Sequence, residues 1–324
     1  MPTLAADDAL ADCLRSLESQ TFDRFEVIVV DNSGARRVKS ENPRVRILAN
    51  DRNLGFGAAI NQGFHASHAA YLATLNDDAV PESGWLQALF AAAEARPEAG
   101  MCASQVRLAG SDRLDSTGML IAADGSSKQR DHGEPVSSSA ATDALCPSGS
   151  AALYRRKMLD QIGLFDESFF LYCEDTDLGL RARRAGWECA YVPAAVVEHR
   201  YSHSAGRASP LKAYYVERNR LYTAIKNLPP AMLLRAPFVS LARYYWHLAS
   251  IFEGRGKVAE YRAAGHSAVL LPFLVLRAHV SALFRLPRLL SDRRQIRKTA
   301  RLSSREFRDL LARYSISVRQ VAAL

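Results

Sequence analysis

Several features that would place this sequence quickly are missing. Its five cysteines, Cys13, Cys102, Cys146, Cys173 and Cys189, are scattered, odd in number and never spaced C-x-x-C. That argues against a disulfide framework or a zinc knuckle, and for inert thiols in a reducing compartment. There is no G-x-x-x-x-G-K-S/T loop, which disfavours a P-loop nucleotidase. No run of about 18 uncharged apolar residues occurs, so no clear membrane-spanning helix is expected. The N-terminus lacks a basic segment followed by an apolar one, so no signal peptide is expected. Internal repeats are absent too. With 324 residues, 48% of them hydrophobic and 23% charged, the composition is that of an ordinary globular chain. It excludes collagen-like, coiled-coil and largely disordered classes and leaves room for two domains.

What is present begins with a charge asymmetry. Residues 201–324 hold 22 Lys and Arg against 6 Asp and Glu, a net +16, while residues 1–200 carry 20 against 28, a net −8. The basic part suits an anionic partner such as phospholipid or phosphate. Nucleic acid is not expected, because no recognition motif accompanies the charge.

Residues 1–200 alternate strand and helix. Phe25-Glu-Val-Ile-Val-Val30 ends in the turn Asp31-Asn-Ser-Gly34, and Ala70-Tyr-Leu-Ala-Thr-Leu75 ends in Asn76-Asp77-Asp78. Further strands are expected at 45–48, 100–106 and 189–192, and helices at 8–19, 57–68, 85–95 and 156–162. This order predicts a doubly wound, largely parallel α/β sheet, with ligands beyond the carboxyl ends of its strands. Residues 108–145 read as long loops with short strands over the site. The expected domains are 1–206, the α/β part, and 207–324, a helical basic extension.

Four groups of residues can carry chemistry. Asn76-Asp77-Asp78 gathers two carboxylates at a strand end, which suits a hard divalent cation or, equally, the N-cap of a following helix. Glu174-Asp175-Thr-Asp177 places three acids in four residues. Glu174 and Asp177 can share one helical face, leaving Asp175 for a cleft as a general base. Alternatively all three complement a helix dipole. His199, after an apolar strand, is either a structural histidine or a ligand beside carboxylates. His203 beyond it could touch phosphate. Asn53-Leu-Gly55-Phe-Gly57 with Asn61 opens a helix with small residues that permit close backbone approach to a ligand.

In this order and spacing these groups resemble the family 2 inverting glycosyltransferases of GT-A fold, rhamnosyltransferase-like branch. The matching stretches include Val27-Ile-Val-Val-Asp-Asn-Ser33, Asn53-Leu-Gly-Phe-Gly57, Leu75-Asn-Asp-Asp78, Ser148-Gly-Ser-Ala151, Ile162-Gly-Leu-Phe-Asp-Glu-Ser-Phe-Phe170, Glu174-Asp-Thr-Asp-Leu178 and Val197-Glu-His199. The resemblance runs from about residue 2 to 206, with weaker similarity to about 315.

It implies roles for individual residues. Asp31 would contact the nucleobase or ribose of a nucleotide-sugar donor, with Asn53, Gly55, Asn61, Asn76 and Asp77 in the same pocket. Asp78 and His199 would hold Mg²⁺ or Mn²⁺. Asp175 would deprotonate the acceptor hydroxyl, and Glu174 and Asp177 would shape the acceptor site. The implied reaction moves a sugar, rhamnose by resemblance, to a glycan or polyprenyl-linked acceptor in cell-surface polysaccharide synthesis. The alternatives are a GT-A nucleotidyltransferase and a non-catalytic sugar-nucleotide-binding or membrane-scaffold protein. The family's opening strand is expected to be missing here, since Met1-Pro2-Thr3 stands where that strand should end, and a truncated chain start is the corresponding expectation. Residues 231–251 and 267–290 mix apolar residues with Arg. They suit helices in a membrane interface, on the inner face of the cell membrane, or else a helical extension packed on the catalytic part with Arg on its solvated face.

Overall fold

In the computed structural model, described over residues 1–5, 7–138, 143–200, 209–252 and 256–323, the chain divides into two compact units. The first comprises Met1–Met119, Gln129–Arg183 and Trp187–Tyr201; the second comprises Leu120–Lys128, Arg184–Gly186 and Ser202–Leu324.

The chain runs β1 (Pro2–Thr3), α1 (Asp8–Glu18), β2 (Val27–Asp31), β3 (Val45–Ala49), α2 (Phe56–Ala66), β4 (Tyr71–Leu75), β5 (Ala79–Pro81), α3 (Trp85–Ala95) and β6 (Ala99–Leu108). It continues with β7 (Leu114–Ser116), β8 (Met119–Ile121), β9 (Ser127–Gln129), β10 (Ala151–Arg155), α4 (Arg156–Ile162), α5 (Glu174–Arg184) and β11 (Glu188–His199). Six helices follow: α6 (Pro210–Asn227), α7 (Pro230–Phe252), α8 (Gly256–Ala263), α9 (Leu271–Thr299), α10 (Ser304–Arg313) and α11 (Val318–Ala323).

The α/β alternation and the helical basic extension are as expected, with two differences. First, the place of the opening strand is filled. β1 pairs in parallel with β2, and β2 with β3. Met1 N donates to Ile28 O at 2.9 Å, and the ladder continues through Val30 N to Met1 O and Asn32 N to Thr3 O. Second, the larger sheet is mixed rather than largely parallel. Its order is β4-β10-β6-β11-β5, with β7 on β6. β6 and β11 are parallel, but β10 runs antiparallel between β4 and β6, and β5 runs antiparallel to β11. The antiparallel members are β5 and β10: β10 pairs with β4 and β6, and the three-residue β5 lies against the end of β11.

The core of the first unit lies between this sheet and α1 and α3, around Leu10, Val29, Trp85, Leu89, Cys102 and Val197. The indole of Trp85 is fully buried and satisfied by a 2.8 Å hydrogen bond to Ser104 Oγ. β11 absorbs Pro193 in a register shift between Val192 and Val196, where a missing N–H breaks no ladder bond. All five cysteines are free.

The second unit is built on α6, which lies against α9 and α7. At its centre is a buried ionic cluster. Arg220 reaches Asp124 O at 2.9 Å and Ser240 Oγ at 3.0 Å and pairs with Glu217. Arg243 bonds Asp124 Oδ2 at 2.8 Å and Glu217 Oε2 at 2.6 Å. Among the described residues, one helical stretch, Ala268–Thr299, is long and apolar enough to cross a membrane by length and composition. An uninterrupted uncharged run is absent from the sequence because Arg277 stands among the stretch's apolar residues.

Candidate active site

Strand pairing builds the site. β10 begins beside the end of β4, with Ala151 opposite Leu75, and Asn76 N donates to Ser150 O at 2.9 Å. The turn Ser148-Gly149-Ser150 is thereby fixed beside Asn76-Asp77-Asp78. Gly149 N in turn donates to Asp175 Oδ2 at 2.9 Å. A short path of backbone and side chain therefore joins the acidic turn after β4 to the acidic start of α5.

β5 brings in the histidine. Its antiparallel register sets His199 opposite Ala79, next to Asp78. His199 Nε2 lies 3.2 Å from Asp78 Oδ1 and 3.3 Å from Asn76 Nδ2. Its Nδ1 lies 2.7 Å from Asp115 Oδ2, and the other oxygen of Asp115 is 3.1 Å from His132 Nδ1. All but His132 and Asn76 are buried. Burial pushes the His199 pKa down, but the bonds to Asp115 and Asp78 outweigh it and raise the pKa to about 9. Burial likewise opposes the charge of Asp115, yet its two histidine partners hold it below the ordinary carboxylate range. Asp77 is raised, first by burial and then by the negative charges of Asp78 and Asp7.

The donor set fits a hard divalent ion that takes the place of the proton on His199 Nε2. One carboxylate and one imidazole nitrogen face each other, and the far side of the imidazole is held by a second carboxylate, an arrangement that fixes ring orientation in metal sites. Among the described residues no group of three His, Cys, Asp or Glu side chains could hold a metal. Asp78 and His199 would therefore supply two ligands and leave the remainder to substrate oxygens and water, as Mg²⁺ sites commonly do. Asp115 was not singled out from the sequence. It sits on β7, inside the segment read as loops, and only the fold brings it to His199.

The second half of the site is the entry to α5. Phe170, Tyr172 and Cys173 all have positive φ, at 65°, 70° and 67°. Phe170 is the centre of a γ-turn, with Leu171 N bonded to Phe169 O at 2.7 Å. Such backbone costs about 1–3 kcal/mol per residue and persists only where the surroundings impose it. Here α2 imposes it. Phe56 N donates to Phe170 O at 2.7 Å. Gly55, at φ 90°, leaves no room for a side chain, since a Cβ there would lie 2.4 Å from Phe170 O. Asn61 completes the bracket by accepting from Phe165 N at 3.1 Å and donating to Phe165 O at 2.9 Å and Glu167 Oε1 at 3.0 Å.

These contacts give three of the expected site residues partners within the chain. Gly55 permits the close approach of Phe170. The amide of Asn61 is bonded to the 165–167 segment. Asp177 is fully buried and paired with Arg181 at 2.9 Å, and that guanidinium also gathers the carbonyls of Ile162, Gly163 and Leu164. Asp177 therefore holds the turn after α4 through Arg181. The reason is helical geometry: Arg181 lies four residues on and captures it.

Asp175 and Glu174 differ from each other. Asp175 is half-buried, and burial raises its pKa despite hydrogen bonds from Gly149 N and from the backbone and hydroxyl of Thr176. Glu174 is buried, its Oε2 has no partner, and its pKa is raised to about 8 by burial and then by Asp175. It is a neutral acid at pH 7 beside a carboxylate.

Asp31 ends β2. Its Oδ1 accepts from Ser33 N and Oγ and its Oδ2 from Val38 N at 3.2 Å, which holds the carboxyl below its usual range against the opposing cost of burial. Asn53 accepts from Gly55 N at 2.8 Å and Asn32 Nδ2 at 3.3 Å, in an amide network that reaches Asn50 and Gln62. His203 lies outside the described residues.

A family model, glycosyl transferase family 2, matches residues 1–163. The chain belongs to glycosyl transferase family 2. The match spans Asp31, Asn53, Gly55, Asn61 and Asn76-Asp77-Asp78 and stops before Glu174, Asp175 and His199. An N-acetylglucosaminyl-diphospho-decaprenol L-rhamnosyltransferase of Mycobacterium tuberculosis is 32% identical over 235 residues, covering 62% of this chain and 76% of that protein. Rhamnosyltransferase WbbL of Escherichia coli is 40% identical over 67 residues, 21% of this chain and 25% of its own length. Among solved structures, mannosyltransferase PcManGT of Pyrobaculum calidifontis, in complex with GDP-Man and Mn²⁺, superposes with a TM-score of 0.51 at 15% identity, covering 92% of this chain and 84% of that one. GalNAc-T7 with UDP, GalNAc and Mn²⁺ gives 0.55 at 13% identity, covering 69% of this chain and 46% of that one. These two likenesses are likenesses of fold, and the fold is GT-A. The protein is a glycosyltransferase.

Proposed function

We propose that this family 2 enzyme transfers rhamnose, with inversion, from a nucleotide-diphosphate sugar to a hydroxyl of a polyprenyl-diphosphate-linked glycan, working at the inner face of the cell membrane in cell-surface polysaccharide synthesis. The observation that carries the reading is Asp175. It is a half-buried carboxylate of raised pKa, fixed by Gly149 N and joined through Ser150 to the Asn76–Asp78 turn. The mycobacterial relative, by its name, supports both the sugar and the acceptor class, and the Escherichia coli relative supports the sugar.

Asp78 and His199 would hold Mg²⁺ or Mn²⁺, which when bound neutralises charge on the diphosphate leaving group. The bond from acceptor oxygen to the anomeric carbon forms as the bond from that carbon to the donor phosphate breaks. The hydroxyl proton passes to Asp175, and the electron pair leaves with the nucleoside diphosphate. A single displacement inverts the anomeric centre and needs no enzyme nucleophile. Glu174, neutral at pH 7, can donate a hydrogen bond to the acceptor without adding a second negative charge beside the base. Asp31 and Asn53 would line the nucleoside side of the donor pocket.

The test is turnover of a nucleotide-sugar panel with Mn²⁺ or Mg²⁺ and a lipid-linked acceptor. Asp175→Asn should lower kcat by about 10²–10⁴ while donor binding persists, and the acid limb of the pH–rate profile should lie above the ordinary aspartate range. An Asp175→Asn enzyme with wild-type kcat removes the base. Release of pyrophosphate from a nucleoside triphosphate would instead support nucleotidyl transfer.

A further inference from the structure

Two helices of the second unit are inside out. On α7, Leu234, Phe238, Leu241, Tyr245 and Leu248 recur at spacings of three and four, one helical face, and are 61–77% exposed. The opposite face carries Ala236, Ser240 and Arg243, all buried, and meets the ionic cluster of Asp124, Glu217 and Arg220. On α9 the inward residues include the small Ala278 and Ala282, while Phe273, Leu276, Leu283 and Phe284 are 61–84% exposed. A helix in water buries its large apolar residues and exposes its charges. These two expose large apolar residues together with Arg235, Arg277 and Arg285, the mixture expected of helices lying in a lipid–water interface.

Charge identifies what covers them. α7 contains no acidic residue, and α9 contains one, Asp292, which is paired with Arg288 at 3.2 Å. The C-terminal part of α9 carries exposed Arg285, Arg294, Arg297 and Lys298. A second copy of the same basic surface would repel it, whereas anionic headgroups complement it.

We infer that α7 and the N-terminal part of α9 insert their apolar faces into the interfacial layer of an anionic bilayer, with the basic end of α9 lying on the headgroups. This deepens the membrane part of the proposed function and names the residues that carry it.

The test uses the full chain, without donor or acceptor, floated with vesicles of phosphatidylcholine alone or of phosphatidylcholine with 30% (about one lipid in three) phosphatidylglycerol. The wild type should float with the anionic vesicles. The Phe238→Ser/Leu241→Ser and Phe273→Ser/Phe284→Ser pairs should each weaken partitioning at least tenfold, with unchanged circular dichroism, since these residues are 65–84% exposed. An Arg294→Gln/Arg297→Gln/Lys298→Gln variant should lose the preference for anionic lipid. Wild-type protein that stays below both vesicle types, or serine variants that float as well as wild type, would overturn the inference. So would a wild-type dimer in light scattering that the serine pairs dissociate without any effect on flotation. Turnover of these variants with a water-soluble acceptor tests the transferase reading separately, so either can fail alone.

Discussion

Gly55→Ala is the sharpest single perturbation of the site. The new methyl would stand 2.4 Å from Phe170 O and 2.8 Å from Phe170 Cα, both backbone atoms, at a φ of 90° that alanine avoids. Holding that φ costs about 1–3 kcal/mol, and a bent or broken Phe56–Phe170 hydrogen bond costs about 0.5–1.5 kcal/mol more. A loss of about 2–4 kcal/mol corresponds to a Tm lower by roughly 4–16 °C for a unit of this size. The effect on rate should be larger than stability alone explains. Phe170 leads through the positive-φ residues Tyr172 and Cys173 into Glu174 and Asp175. Shifting a catalytic carboxylate by about 1 Å costs on the order of 10²-fold. The control lies in the same helix. At Gly63 an added Cβ meets nothing within 4 Å, so Gly63→Ala should stabilise by about 0.5–1 kcal/mol and leave kcat alone. Thermal denaturation and donor turnover on both variants decide it. If Gly55→Ala is as stable and as active as Gly63→Ala, α2 does not hold the entry to α5, and the account of the strained segment is wrong.

Three other outcomes follow from the same geometry. Asp115→Asn should weaken Mn²⁺ binding by about 10–100-fold, read by calorimetry or by the spin signal of the free ion, because His199 loses the carboxylate that orients it. The carboxyl of Glu174 has a folded pKa of about 8 against an unfolded value of 4.5, so the unfolded chain gives up this proton first. Glu174 therefore costs stability progressively as pH climbs through that window. Glu174→Gln should be increasingly more stable than wild type between pH 5 and pH 8.5 in urea denaturation, and a constant difference would contradict the burial of the group. In the second unit, Arg220→Ala leaves Glu217 and Asp124 short of a buried cation and should cost about 3–5 kcal/mol in denaturant unfolding.

The sequence made the strand ends legible. Asp31 and Asn76-Asp77-Asp78 follow apolar, β-branched runs, so their place at carboxyl ends could be read from alternation alone. The pair of Asp78 with His199 was readable only as a resemblance, because the short strand β5, three residues long, carries too little pattern to announce itself. Asp115 was hidden for the same reason, on a strand of three residues within a polar segment. The contacts of Asn61 with Phe165 and of Asp177 with Arg181 were not legible, because a polar residue looks the same in sequence whether it faces a ligand or the chain itself. The helices α7 and α9 were legible as amphipathic, but which face turned outward was set by the ionic cluster and could not be read from periodicity.

The short antiparallel β5–β11 ladder also has a consequence for synthesis. Asn76 and His199 stand 123 positions apart, so at about 5–20 residues per second the histidine is made roughly 6–25 s after the acidic turn it completes. Throughout that interval Asn76 and Asp78 have neither their imidazole neighbour nor the strand that aligns it. A nascent chain can fold α1 to α3 while still lacking the site, and competence for catalysis arrives in one late step, when β11 docks.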